Sequence, residues 1–260
     1  MRRYWRAVRV VWILISHTAV TSLGVRFRPQ EGRAAYRARR QQRGVRRVCR
    51  ALGVRVAREG TPPQAPMLAV CNHLGVLDPI VLASQVPIAF AGKAELRRWP
   101  LVGWVCRTHG MLFVHRTRVT QTETFVAQVR RKLEAGVTVL VFPEGTTSRG
   151  VSVRRFKTGA FEAVAGMDGG AVLPLALAVE AVEGDPSRRE EATWADNGQT
   201  FVEHALSLAA LRRLDFRVRV GAPIPTAGRD RKVLAREAHA AVCTLAGLPA
   251  GPPAILPASA

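Results

Sequence analysis

The sequence predicts an α/β fold: one central sheet, mostly parallel or mixed, flanked by helices and preceded by an amphipathic to hydrophobic helical segment that associates with a membrane. Three observations predict it. From residue 53 onward, short apolar runs of buried-strand type alternate with stretches of helical pattern. No internal repeat and no second core interrupts that alternation in a chain of 260 residues, 48% of them apolar. The basic charge is concentrated at the N-terminus: residues 1–60 hold 16 Arg and two Glu, so most of the net +20 resides there.

The N-terminal segment, residues 1–52, is read as two helices. In the first, Arg2, Arg3, Arg6 and Arg9 lead into "VVWILISHTAV", with Arg26 and Arg28 after it and Tyr4, Trp5 and Trp12 where interfacial aromatics sit. The apolar run is about 16 residues, short of the roughly 20 that cross a bilayer, so the helix is expected to lie in or dip into the cytoplasmic leaflet with Arg on anionic headgroups. Two other readings fit the same residues: a cleavable signal peptide with a poor cleavage site near Ala19 or Thr21, and a helix that packs on the core. The second helix, "QEGRAAYRARRQQRGVRRVCRAL", has a basic face turned to solvent or phosphates. Four cysteines with no metal-type or disulfide-type spacing indicate a reducing compartment. The expected location is the cytoplasmic face of the cell membrane, peripheral or monotopic.

Residues 53–248 carry the α/β domain. "GVRVAREG" alternates as a half-buried strand, and "MLAVCN" is a buried strand. "PIVLASQV" reads as a helix and "PIAFAGK" as a strand. "AELRRWPLVGWVCRTHG" reads as a helix broken at Pro100 and Gly103, and "MLFVHR" as a strand. In "TETFVAQVRRKLEAG", Phe125, Val129 and Leu133 share a face and Gly136 caps the helix. "VTVLVFPEG" and "AVLPLALAVE" are buried strands with helical "GAFEAVAGM" between them. "FRVRVGAPI" is a strand near the edge, and "GRDRKVLAREAHAAVCTLAG" is the last helix. The Pro/Ala tail 249–260 is expected to be flexible.

Polar residues end two of the buried strands. In "CNHLGVLDP", His73 and Asp78 are five apart, which on a continuous helix would place them on different faces. Asp78–Pro79 instead reads as N-cap and N1, with "HLGVL" a loop in which Gly75 takes an unusual backbone conformation. Such a loop folds His73 back so that one ring nitrogen meets the Asp78 carboxylate and the other faces a pocket, the base-and-orienter pair that deprotonates a hydroxyl. The alternative is that Asp78 only caps and His73 only packs. The second stretch, "FPEGTTS", ends another strand, and loops of this kind hold ligands in α/β sheets.

Together these stretches resemble the glycerolipid acyltransferase family, of the lysophosphatidic acid acyltransferase type. The resemblance covers roughly residues 65–180 and rests on four features in order: Asn72-His73 with Asp78, "GMLFVHR" ending at Arg116, "FPEGTTS", and "VLPLALA" around Pro174. It implies that His73 is the general base on the lysolipid hydroxyl and that Asp78 holds its tautomer. The alkoxide then attacks an acyl thioester, of acyl carrier protein or coenzyme A, with no covalent acyl-enzyme. It implies no cofactor and no metal beyond that thioester co-substrate. Substrate contacts fall on Asn72, Arg116, Glu144, Gly145, Thr146, Thr147, Ser148, Arg149 and Lys157, with Glu144 organising its loop and an Arg fork suited to phosphate. The implied acceptor is 1-acylglycerol-3-phosphate, giving phosphatidic acid. The chain departs from the pattern at Gly75, where Ser is frequent, and at Thr147, where Arg is usual; Arg149 stands nearby, and "RRFKTGAF" follows. Relatives that acylate lyso-ornithine lipid share such features, so that lipid is the alternative acceptor.

Other classes fit less well. No G-x-S-x-G elbow is present for a serine hydrolase. Cys106, His109 and His115 match no standard metal spacing. A nucleic-acid binder would need aromatics on a basic reading surface, whereas aromatic content is 6% and the Arg cluster adjoins an apolar helix. The expected partners are therefore a lipid surface and the acyl donor, with no specific nucleic acid.

Overall fold

The computed structural model describes residues 1–114, 122–194 and 198–252. Two long helices, α1 (Arg2–Arg26) and α2 (Gln30–Leu52), precede the sheet. The chain then runs β1 (Val54–Glu59), β2 (Leu68–Cys71), α3 (Asp78–Gln85), β3 (Ile88–Lys93), α4 (Pro100–Thr108), β4 (Leu112–Val114), α5 (Thr122–Glu134) and β5 (Thr138–Val141). It continues through β6 (Val153–Arg154), β7 (Ala171–Val182), α6 (Phe201–Ala210), β8 (Leu214–Val220), β9 (Ile224–Pro225), α7 (Arg231–Ala246) and β10 (Ala250–Gly251).

The main sheet has the order β1-β8-β7-β2-β5-β3-β4, with β9 beside β7. All pairs along that order are parallel except β7–β8, so the sheet is mixed and mostly parallel. β2 and β5 are fully buried at its centre. Period-2 alternation sorts β2 onto two cores: Ala69 and Cys71 join residues of α2, α3 and α6, while Leu68 and Val70 join Val129 and Leu133 of α5 and Leu234 and Val242 of α7. Short apolar strands covered on both faces are what a doubly covered sheet requires.

β8 lies near the edge as expected, one strand in, with β1 paired along its outer side. Several elements differ from the sequence reading. The break expected at Pro100 is present, with Trp99 as the N-cap of α4 after a 3₁₀ turn over Ala94–Arg98, but the break expected at Gly103 is not, since Gly103 lies within α4. "GAFEAVAGM" forms only a 3₁₀ turn, Gly159–Ala163. α6 and a 3₁₀ turn over Pro186–Ala192 went unread. Ala250 and Gly251 of the expected flexible tail pair with β6, and residues 253–260 lie outside the described residues.

α1 packs on α2, α4 and α6, with Val10, Ile13 and Leu14 partly buried against the core and a polar cluster further along the helix. Its buried residues are His17, Thr18, Thr21 and Val25. The His17 ring meets the Arg40 carbonyl (2.6 Å) and the Arg40 guanidinium (3.2 Å), and a Cβ on Gly44 would lie 2.4 Å from that ring. The outward face carries Trp5, Val8, Trp12, Ile15, Val20 and Leu23, all exposed. The reading of α1 as a helix simply packed on the core therefore describes only one face. Arg6 is not free for headgroups as expected: its guanidinium holds the carbonyls of Leu52, Leu211 and Arg212 at the C-terminal ends of α2 and α6.

Candidate active site

The site is set by strand register. Val70 of β2 pairs with Val141 of β5, so His73 and Glu144 emerge side by side at the C-terminal edge of the sheet. Asn72 continues the ladder on the other side: its amide donates to the Leu177 carbonyl (2.9 Å) and accepts the Leu177 N–H (2.8 Å). Asn72 is 1% exposed, with both amide atoms committed to β7, so it lies behind the site as a backbone mimic and not in the substrate's path as expected.

His73 Nδ1 lies 2.7 Å from Asp78 Oδ2. That same oxygen accepts the N–H groups of Leu74 (2.5 Å) and Gly75 (2.9 Å). Asp78 does not cap α3 as expected: it is the first residue of the helix, Leu77 holds the N-cap position, and no side chain caps it. The carboxylate turns back to gather the His73 loop. With the Leu74 and Gly75 N–H groups on the same oxygen, the carboxylate acts as acceptor throughout, so Nδ1–H is the donor to it and Nε2 is left as the acceptor. The imidazole lies flat on Phe142 (4.1 Å between centroids, 14° between planes) and is 17% exposed.

Glu144 is fully buried. Its two oxygens accept the His73 N–H (2.7 Å) and the Arg154 N–H (2.9 Å). Burial pushes its carboxyl up to about 7, against those two hydrogen bonds. Glu144 is thus the loop organiser and has no free oxygen for a substrate. Gly145 takes a left-handed conformation (φ 78°), and a Cβ there would meet Lys157 Nζ at 2.7 Å, so the lysine crosses directly over the loop. The Ser148 N–H and hydroxyl both reach the His73 carbonyl (2.8 and 3.3 Å), and the Thr147 hydroxyl donates to the Trp194 carbonyl. Thr146 is half-buried, and Arg149 is exposed on the bend that follows. The structure therefore brings His73, Asp78, Glu144–Ser148 and Lys157 together; Arg116 lies outside the described residues.

Cys71 is the thiol nearest in sequence to His73. It is fully buried, and burial reinforced by the Asp78 and Glu144 charges pushes its pKa well above the ordinary value, so it is no nucleophile. Among the described residues no group of three His, Cys, Asp or Glu side chains is placed to hold a metal ion. Sequence reasoning missed Phe142 as the ring under His73, Leu177 as the partner of Asn72, and Trp194.

A part-exposed imidazole paired with a buried carboxylate at the C-terminal edge of the sheet is an arrangement suited to general-base chemistry. The Acyltransferase family profile matches residues 53–178. The lyso-ornithine lipid O-acyltransferase of Pseudomonas aeruginosa is 35% identical over 75% of this chain and 74% of its own. The chain belongs to the Acyltransferase family. A second lyso-ornithine lipid O-acyltransferase, from Brucella abortus, is 33% identical over 73% of this acyltransferase and 74% of its own chain. The 1-acyl-sn-glycerol-3-phosphate acyltransferase of Neisseria meningitidis is 29% identical over 64% of each chain. The crystal structure of the lysophosphatidate acyltransferase PlsC from Thermotoga maritima shares the fold, with a TM-score of 0.63 at 21% identity over 94% of this acyltransferase and 96% of that chain.

Proposed function

We propose that this acyltransferase moves an acyl group from a carrier-protein or coenzyme A thioester to the hydroxyl of lyso-ornithine lipid. His73 Nε2 takes the hydroxyl proton, Asp78 stabilises the imidazolium, and the alkoxide attacks the thioester carbonyl. The tetrahedral intermediate expels the thiolate, which recovers the proton from His73. One observation carries the choice of acceptor: at position 147, where an Arg would face a phosphate, a threonine stands with its hydroxyl spent on the Trp194 carbonyl. The relatives matched over about three quarters of both chains, which carry that lipid's name, support it. Lys157 over Gly145 and exposed Arg149 favour lysophosphatidate as the second reading.

The outward apolar face of α1 supports a membrane-seated enzyme, with residues 1–52 on the cytoplasmic leaflet and residues 53–248 performing the chemistry. The test supplies a labelled acyl thioester with lyso-ornithine lipid and lysophosphatidic acid side by side and identifies products by mass. Acylated lyso-ornithine lipid is expected. Phosphatidic acid as the only product overturns the acceptor assignment and leaves the His73 chemistry standing.

A further inference from the structure

Four backbone groups hold His73 and Leu74 in place. The His73 N–H goes to Glu144 (2.7 Å), the His73 carbonyl to the Ser148 N–H (2.8 Å), and the Leu74 N–H to Asp78 (2.5 Å). The fourth, the Leu74 carbonyl, is taken by the Trp194 N–H (2.8 Å). Trp194 belongs to neither motif loop. Its carbonyl accepts the Thr147 hydroxyl, so a single residue is hydrogen-bonded to the His73 loop and to the Phe142–Ser148 loop at once.

The indole fixes that residue. It stacks on His204 (6.0 Å, 11°), meets Phe201 edge-on (6.0 Å, 71°), and donates from Nε1 to the Gln199 carbonyl (3.2 Å). Phe201 and His204 lie on α6, whose start is locked by a Thr200–Glu203 capping box. The crossing also accounts for Gly75. That glycine has no positive φ; a Cβ there would lie 3.1 Å from the Ala192 carbonyl oxygen and 3.4 Å from the Trp194 nitrogen. Glycine stands where the crossing segment needs the space.

We infer that Trp194 is a positioning residue: a clasp, anchored on α6, that ties the His73 loop at Leu74 to the Phe142–Ser148 loop at Thr147, beside the direct bonds from His73 to Glu144 and Ser148. The inference rests on His73 being the base. It places the effect in turnover, because the clasp holds the base and not the thioester.

The test measures kcat and KM for the acyl thioester in the full-length protein on lipid vesicles. Thr147→Val removes the hydroxyl and should lower kcat about 10-fold, the loss of one hydrogen bond, with KM for the thioester unchanged. Thr147→Ser keeps the donor and should restore most of the rate. Trp194→Ala keeps the backbone N–H and carbonyl of the bridge but removes the indole that anchors it on α6, so it should lower kcat too. Thr147→Val added to it should cost less than Thr147→Val alone, since an unanchored bridge has less to lose. If both single variants turn over at the wild-type rate while His73→Ala is inactive, the clasp is wrong and the base stands. An active His73→Ala protein instead overturns the base. A Thr147→Val protein with normal kcat and raised KM for the lysolipid makes Thr147 a substrate contact and also overturns the clasp. Should Trp194→Ala fail to fold, the Thr147→Val and Thr147→Ser pair decides alone.

Discussion

The strand β2 buries only apolar side chains, whereas the helix α1 buries a polar cluster beside its apolar contacts with the core. β2 hides Leu68, Ala69, Val70 and Cys71 completely and turns polar only at its end, where both amide atoms of Asn72 are spent on Leu177. α1 hides His17, Thr18 and Thr21 against α2 and α4 and turns Trp5, Val8, Trp12 and Leu23 outward. The first pattern belongs to a chain folded in water, where apolar area is driven inward. The second is stable when the surroundings of the outer face are themselves apolar, as lipid is. The acyltransferase thus joins a sheet whose apolar area is turned inward to a helix whose outer face leaves apolar area uncovered.

Breaking the polar end of β2 should give the largest effect. In Asp78→Asn, the remaining amide oxygen can still accept the Leu74 and Gly75 N–H groups, so the loop keeps its shape while the imidazolium loses its counter-charge. Turnover should fall roughly 10²- to 10⁴-fold with an unchanged circular dichroism spectrum. Full activity would make Asp78 a structural residue only.

Next comes the outward face of α1. Val8→Glu together with Trp12→Glu alters side chains that are 68% and 67% exposed, so melting temperature should hold. Sedimentation with vesicles should weaken by at least about 10-fold, since an apolar side chain of this size contributes roughly 1.5–3 kcal/mol when buried. Equal sedimentation of variant and wild type would show that this face does not carry the membrane contact.

The inward face of the same helix is sharpened by Gly44→Ala, whose Cβ would meet His17 Cδ2 at 2.4 Å. It should lower stability by about 1–3 kcal/mol in a chemical denaturation series, as overpacking does. No change would mean α1 rides loosely on α2.

The smallest effect is a pH dependence. Glu144 holds its proton up to about 7 in the folded chain, above the ordinary carboxylate value of 4.5. Between those values the folded state binds more protons than the unfolded one, so this group's contribution to stability falls as pH rises through the window. Glu144→Gln loses one acceptor and should be less stable throughout, but it lacks that titration. The gap in melting temperature between wild type and variant should narrow from pH 4.5 to pH 7; a constant gap would contradict a raised Glu144.

Much of this was legible in the sequence. β2, β5 and β7 stand out as apolar runs, α5 shows its face in Phe125, Val129 and Leu133, and His73 with Asp78 is readable because the pair sits at a strand end. What was not legible depends on register. Nothing local says that Asn72 faces Leu177, or that Asp78 turns back to Leu74 and Gly75 and does not cap its own helix. The crossing at Trp194 lies in "EGDPSRREEATWADNGQT", which has no periodicity, and its role comes from tertiary contact alone. One signal was available there: Thr200 and Glu203 ahead of "ALSLAA" form a capping box that announces α6.

The most direct test of the central claim compares wild type with His73→Ala in acyl transfer from a labelled thioester to lyso-ornithine lipid in vesicles. His73 is part-exposed and packs on Phe142, so the variant should fold. The account predicts acylated product from the wild type and a rate roughly 10²- to 10⁴-fold lower from the variant. A His73→Ala protein that forms product at the wild-type rate would contradict it.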